Sequence, residues 1–133
     1  MARPLSVDTS FLIDLQRERR RAEGGPAHQF LEAEAASELC LSVVALGEMT
    51  QGFPDSEHPS IRVLRDTHLL LPVDEDVALL YGALARELRE RGTPIGSNDL
   101  WIAATSLRHE LPLVTADASA FSRVPRLQVL RYR

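Results

Sequence analysis

The feature that most limits what this chain can become is an alternation. Short β-rich apolar runs, over 5–7, 39–42, 69–73, 113–114 and 127–130, are separated by longer stretches of helical character. Parallel strands cannot be joined by tight turns and need crossovers, usually helices. The spacing therefore predicts an α/β layered fold in which a short central parallel sheet is flanked by helices.

The clearest helix is expected over 77–91, where Val77, Leu80, Tyr81, Leu84 and Leu88 recur at three- and four-residue intervals and line one face. Asp74, Glu75 and Asp76 place negative charge at its positive end, Arg89 and Arg91 place positive charge at the other, and Gly92 can close it. Further helices are expected after Asp8, over 28–38, after Ser42 and over 99–109, the last capped by Ser97 or Asn98. Gly24-Gly25-Pro26 and the stretch 54–59 read as loops, because neither separates segments large enough for cores of their own. Residues 1–133 are thus read as a single domain.

Composition removes several chemistries. All fifteen basic residues are arginine. Without a lysine there is no phosphate-loop ammonium, no Schiff-base amine and no kinase-like site. Cys40 is the only cysteine, which leaves no internal disulfide or cysteine-rich metal cluster and fits a reducing cytosol; set between Leu39 and Leu41, it is expected to be buried. Arg3, Asp8 and Asp14 interrupt the first segment, so it offers no signal-peptide core, and no apolar stretch approaches the ~20 residues of a membrane span. A cytoplasmic location is the expectation.

Four acids stand where a strand ends or a helix begins, in apolar surroundings where a carboxylate needs a reason: Asp8, Glu48, Asp99 and Asp117. Sites in open parallel sheets form beyond the carboxyl ends of the strands, so all four can meet at one end. Each has a plainer role when taken alone, as a turn residue, a helix-start acid or a solvated helix position. Together they would need a cation, since two carboxylates about 5 Å apart repel by roughly 3 kcal/mol at an effective dielectric of 20. Oxygen ligands without cysteine or paired histidine select a hard ion, magnesium or manganese over zinc. Such an ion can hold a phosphate oxygen and acidify an attacking water, which points to phosphodiester hydrolysis.

The segments Val7-Asp8-Thr9-Ser10-Phe11-Leu12-Ile13-Asp14, Leu46-Gly47-Glu48-Met49, Ile95-Gly96-Ser97-Asn98-Asp99-Leu100-Trp101-Ile102-Ala103-Ala104 and Leu113-Val114-Thr115-Ala116-Asp117, in this order, closely resemble the PIN-domain ribonucleases, particularly the VapC toxins of toxin–antitoxin pairs. The resemblance spans essentially the whole chain, including the closing stretch from Phe121 to Val129. It implies a PIN-like fold and a metal-dependent endoribonuclease in which Asp8, Glu48, Asp99 and Asp117 hold magnesium or manganese. Thr9, Ser10 and Thr115 match positions that support the acidic pocket. The same resemblance implies inhibition of translation, a homodimer, and a hetero-oligomer with a VapB-type antitoxin whose tail enters the site. One departure is Ala120, where relatives often carry an acid before the aromatic, which leaves Asp117 as the only candidate for the fourth ligand.

Other features read more plainly. The basic run Arg17-Glu18-Arg19-Arg20-Arg21 could grip RNA phosphates but is better read as a solvated helix end near its negative pole. His28, His58, His68 and His109 have no metal-ligand spacing, and Trp101 is read as packing before base stacking. A phosphotransfer domain or phosphatase is disfavoured by the missing lysine and by Asp8-Thr9-Ser10, which has no second aspartate two residues on. The alternative to a nuclease is a catalytically inactive PIN-fold binding module, in which the acids only cap helices or meet a partner's arginine.

Overall fold

The computed structural model describes residues 3–133. Five parallel strands, β1 (Pro4–Val7), β2 (Glu38–Ser42), β3 (Leu69–Leu71), β4 (Leu113–Thr115) and β5 (Val129–Arg131), form one sheet in the order β3-β2-β1-β4-β5. All five expected strands are present. The run over 69–73 stops at Leu71 because Pro72 has no N–H to give the ladder. The run over 127–130 starts late, since Arg126 sits in a left-handed turn (φ 70°) that closes Leu127 N–H onto the Val124 carbonyl.

The helices are α1 (Thr9–Arg21), α2 (Pro26–Ala33), α3 (Val43–Thr50), α4 (Pro59–Thr67), α5 (Glu75–Glu90), α6 (Ser97–Arg108) and the single turn α7 (Ala118–Phe121). On α5 the expected face is the buried one, carried by Val77, Leu84 and Leu88; Asp74 caps its start and Gly92 (φ 70°) turns the chain out of its end. Three expectations need correction. The helix over 28–38 runs instead from Pro26 to Ala33, because proline pre-sets the first turn and a Glu34–Ser37 turn then feeds Glu38 into β2. Neither Ser97 nor Asn98 caps α6; Gly96 holds the N-cap position without a side-chain bond. The loop over 54–59 ends at His58, whose ring accepts the Ser60 N–H and caps α4, a helix the periodicity did not announce.

Strand β1 lies at the centre and is covered on both faces: Leu5, Ser6 and Val7 are all buried, and the Ser6 hydroxyl accepts from Ser106 Oγ at 2.8 Å. Phe11 and Leu12 of α1, Leu84 and Leu88 of α5, and Ile102 and Ala103 of α6 join this core. Cys40 is buried. Trp101 lies half-buried on Tyr81, ring centroids 3.7 Å apart and nearly parallel, so it ties α6 to α5. From β1 the chain winds outward through β2 to β3, then crosses to the other side for β4 and β5. The gap beyond the carboxyl ends of β1 and β4 is therefore the switch point, where a doubly wound sheet leaves a crevice.

Candidate active site

Asp8 follows β1 directly at that crevice and is only 4% exposed. Its backbone N–H donates to the Val114 carbonyl and its side chain caps α1, Oδ1 accepting the Phe11 N–H at 3.1 Å. Oδ1 also accepts from Ser10 Oγ at 2.7 Å, and Oδ2 accepts from Thr115 Oγ1 at 2.5 Å across the switch point. Thr115, fully buried at the end of β4, accepts the Asp117 N–H at 2.8 Å, while Ser10 Oγ accepts the Ala116 N–H at 3.1 Å. Two short hydroxyl side chains thus stitch α1 to β4 and fix how Asp8 presents its remaining lone pairs.

The other three acids approach the same crevice from different elements. Glu48 lies in the second turn of α3, itself started by the Ser42 cap after β2, and Thr9 Oγ1 donates to its Oε1 at 2.7 Å. Asp117 follows β4 and caps α7, accepting from Ser119 Oγ and the Ala120 N–H. Asp99 sits in the first turn of α6, half-buried and, among the described residues, without a hydrogen-bond partner. The structure brings Asp8, Glu48, Asp99, Asp117, Thr9, Ser10 and Thr115 to one end of the sheet.

Electrostatics joins them. Burial pushes the Asp8 carboxyl above its ordinary range, the bonds from Thr115, Ser10 and Phe11 oppose this, and the charge of Asp117 adds to the rise. Asp99 is likewise raised, by burial first and then by Glu48, Asp8 and Asp117. Four carboxylates that repel one another have no arginine or histidine paired with any of them among the described residues. As the side chains are turned, no three acidic, histidine or cysteine groups among the described residues close on one point. The donor set still fits a hard divalent cation: it is all oxygen, uncompensated, and rigid at Asp8, with Asp99 unengaged.

Sequence reading missed one contributor here. Asn98, expected to cap α6, instead turns its Nδ2 toward Glu48 Oε2 at 3.4 Å, and so helps orient that carboxylate. The basic run after Asp14 lies at the opposite end of α1, about 20 Å along a 13-residue helix from Asp8, as befits a solvated helix end. Two of the histidines play local structural roles, His28 on Glu18 and His58 as the α4 cap. The acids run from buried Asp8 through half-buried Glu48 and Asp99 to exposed Asp117, whereas a cavity of about 440 Å³ lies at the opposite, amino ends of β4 and β5, beside Leu107, Leu111, Pro112 and Gln128.

A five-stranded parallel α/β domain with four carboxylates, none paired with an arginine or histidine among the described residues, near its switch point is the class that the fold and the site define. The chain belongs to the PIN-domain family, whose pattern matches residues 5–127. It is 30% identical over 127 residues to "Ribonuclease VapC1" of Haemophilus influenzae, covering 92% of each chain. It is 34% identical over 118 residues to "Ribonuclease VapC5" of Mycobacterium tuberculosis, 84% of this chain and 81% of that one. The structure of VapBC-1 from nontypeable Haemophilus influenzae matches with a TM-score of 0.79 at 28% identity, over 97% of this chain and 98% of that one. DNA-bound VapBC from Salmonella typhimurium shares the fold, with a TM-score of 0.81 at 22% identity over the full length of both chains.

Proposed function

We propose that this chain is the ribonuclease toxin of a toxin–antitoxin pair, a magnesium- or manganese-dependent endoribonuclease that inhibits translation by cutting RNA in the cytoplasm. The observation that carries this reading is the convergence of Asp8, Glu48, Asp99 and Asp117, unpaired with any cation, at the switch point of a PIN domain whose relatives are named ribonucleases. Those four acids would hold the ion. When bound, it supplies positive charge for a phosphate oxygen and lowers the pKa of water. The protein's own part is placement: Ser10 and Thr115 fix Asp8, Thr9 and Asn98 fix Glu48, and the first turn of α6 carries Asp99.

Acids that run from buried Asp8 to exposed Asp117, outside the cavity at the amino ends of β4 and β5, suit a chain-like substrate better than an enclosed small molecule. The matched complexes named VapBC support a VapB-type antitoxin as partner and a toxin–antitoxin hetero-oligomer, and we add a homodimer to that expectation. No helix among the described residues is long and apolar enough to cross a membrane.

The test is cleavage of total RNA by protein freed of any co-purified partner, with magnesium, with manganese and with a chelator, beside Asp99→Asn. Discrete fragments that require both metal and Asp99 are expected. Absence of cleavage with every metal, and no metal-induced change in melting temperature, would overturn the reading in favour of a PIN-fold binding module.

A further inference from the structure

The last described strand ends at the same edge of the sheet as the acids, since β5 runs parallel to β4 with Thr115 opposite Arg131. The residue that follows, Tyr132, turns back over α1. Its ring meets Phe11 edge-on at 4.9 Å between centroids. Its single hydroxyl proton is shared between Asp14 Oδ2 at 2.5 Å and the Ser10 carbonyl at 3.2 Å, the shorter bond dominating, while Arg133 Nε donates to the same Asp14 oxygen at 2.6 Å. Burial and the bond to Asp14 hold the phenol well above its ordinary range, so it stays protonated and remains a donor.

Ser10 is the residue on which the chain's two sides meet. Its hydroxyl donates to Asp8 and accepts the Ala116 N–H, and its carbonyl takes the Tyr132 hydroxyl. The first turn of α1 is therefore held from the end of β4 through Ser10 Oγ and from the residue just past β5 through Ser10 O. Asp14 lies one helical turn further along and supplies the charged anchor that orients the phenol. A helix N-terminus fixed from two strands can slide or rotate less than one fixed from a single strand, and Asp8 is its cap.

We propose that Tyr132, anchored by Asp14 and Arg133, is a positioning residue for the carboxylate site, acting through the Ser10 backbone to fix the direction in which Asp8 faces its ligand. This deepens the nuclease reading and rests on it. Tyr132 touches no reacting group; it sets the geometry of one that does.

The experiment compares wild type with Tyr132→Phe, which deletes the hydroxyl and keeps the ring on Phe11, and with Ile61→Val, a packing change on α4 that serves as a stability control. Three readouts are taken: kcat and KM on a cleaved single-stranded RNA, the manganese concentration for half-maximal rate, and the rise in melting temperature caused by manganese alone. Tyr132→Phe should lower kcat about three- to tenfold with KM within about twofold, modest beside the ~100-fold that a ~1 Å misplacement can cost. It should also raise the manganese requirement and shrink the manganese-induced rise, while Ile61→Val moves none of these. Should Tyr132→Phe fold poorly, Asp14→Asn, which removes the anchoring charge, should move them the same way.

Unchanged kcat and manganese dependence in Tyr132→Phe would overturn the proposal, as would a loss that Ile61→Val reproduces. If wild type cuts no RNA, the nuclease reading fails on its own, and the manganese-induced melting shift still decides the role of Tyr132: equal shifts overturn it.

Discussion

Each end of α1 holds a buried carboxylate, and the two are solved in opposite ways. Glu18, near the C-terminal end, is 3% exposed. Its oxygens accept the Ala27 N–H at 3.0 Å, the His28 N–H at 2.9 Å and a bond with His28 Nδ1 at 2.8 Å. Burial pushes its pKa up, but these partners outweigh it and the carboxyl ends below its ordinary range. Asp8, at the other end, is as little exposed but lies deeper in the protein, and burial there outweighs the bonds from two neutral hydroxyls and one N–H, so it ends above its range. Glu18 replaces the missing side-chain cap of α2 and so stabilises the fold, whereas Asp8 has no charged partner, and the proposed cation would supply one.

That contrast breaks most visibly under amide substitution. Asp8→Asn should reduce RNA cleavage at least ~100-fold, a loss on the scale of losing a key electrostatic contributor at a site, with a metal-free melting temperature equal to or above that of wild type. Glu18→Gln should do the reverse. It should cost about 1.5–3 kcal/mol, the worth of charge-assisted hydrogen bonds to a buried group, and leave cleavage intact below the new melting temperature. Gly25→Ala should lower stability in the same direction, since a Cβ there would stand 2.5 Å from Glu18 Cδ. Thermal melts with parallel cleavage assays check all three.

A smaller effect is expected from pH. Asp99 has a raised folded pKa, so without metal its ionisation costs stability as pH rises through that pKa; the penalty is absent once pH falls below the ordinary value of 3.8. The metal-free advantage of Asp99→Asn over wild type should therefore shrink as pH is lowered from 7 toward that range. Glu18 works the other way: its contribution is present above the ordinary value of 4.5 and is lost as pH falls through its lowered folded pKa. The difference between Glu18→Gln and wild type should accordingly narrow only at the acid end. The smallest effect belongs to the exposed arginines beside Glu18: replacing Arg19, Arg20 and Arg21 together by Gln should change cleavage less than about twofold, because they lie a helix length from Asp8.

The same two carboxylates show what the sequence can display. The placement of Asp8 is legible because it stands between an apolar run and a helix, a position at the carboxyl end of a parallel strand, and Glu48, Asp99 and Asp117 are placed at the same end for related reasons. The placement of Glu18 is not legible, because a glutamate within an arginine run looks like any helix-surface charge, and the N–H groups that bury it come from α2. Tyr132 and Asp14 were hidden likewise, their contact joining positions far apart in the chain. Strand order follows from the alternation only loosely, but α5 could be read almost to its ends, since capping, periodicity and charge all agree there. Helix α4 escaped notice because its announcement was a proline, which marks both loops and first turns, and because Ile61 is its only buried residue.

The most direct measurement of whether the acids at the switch point form a cation site is the melting temperature of partner-free protein titrated with manganese, for wild type, Asp8→Asn, Asp99→Asn and Glu18→Gln. A saturable rise in wild type and in Glu18→Gln, abolished or strongly reduced in Asp8→Asn and Asp99→Asn, is the expected result. An equal rise in all four proteins, or no rise in any, would contradict the assignment of these carboxylates to a metal-dependent site.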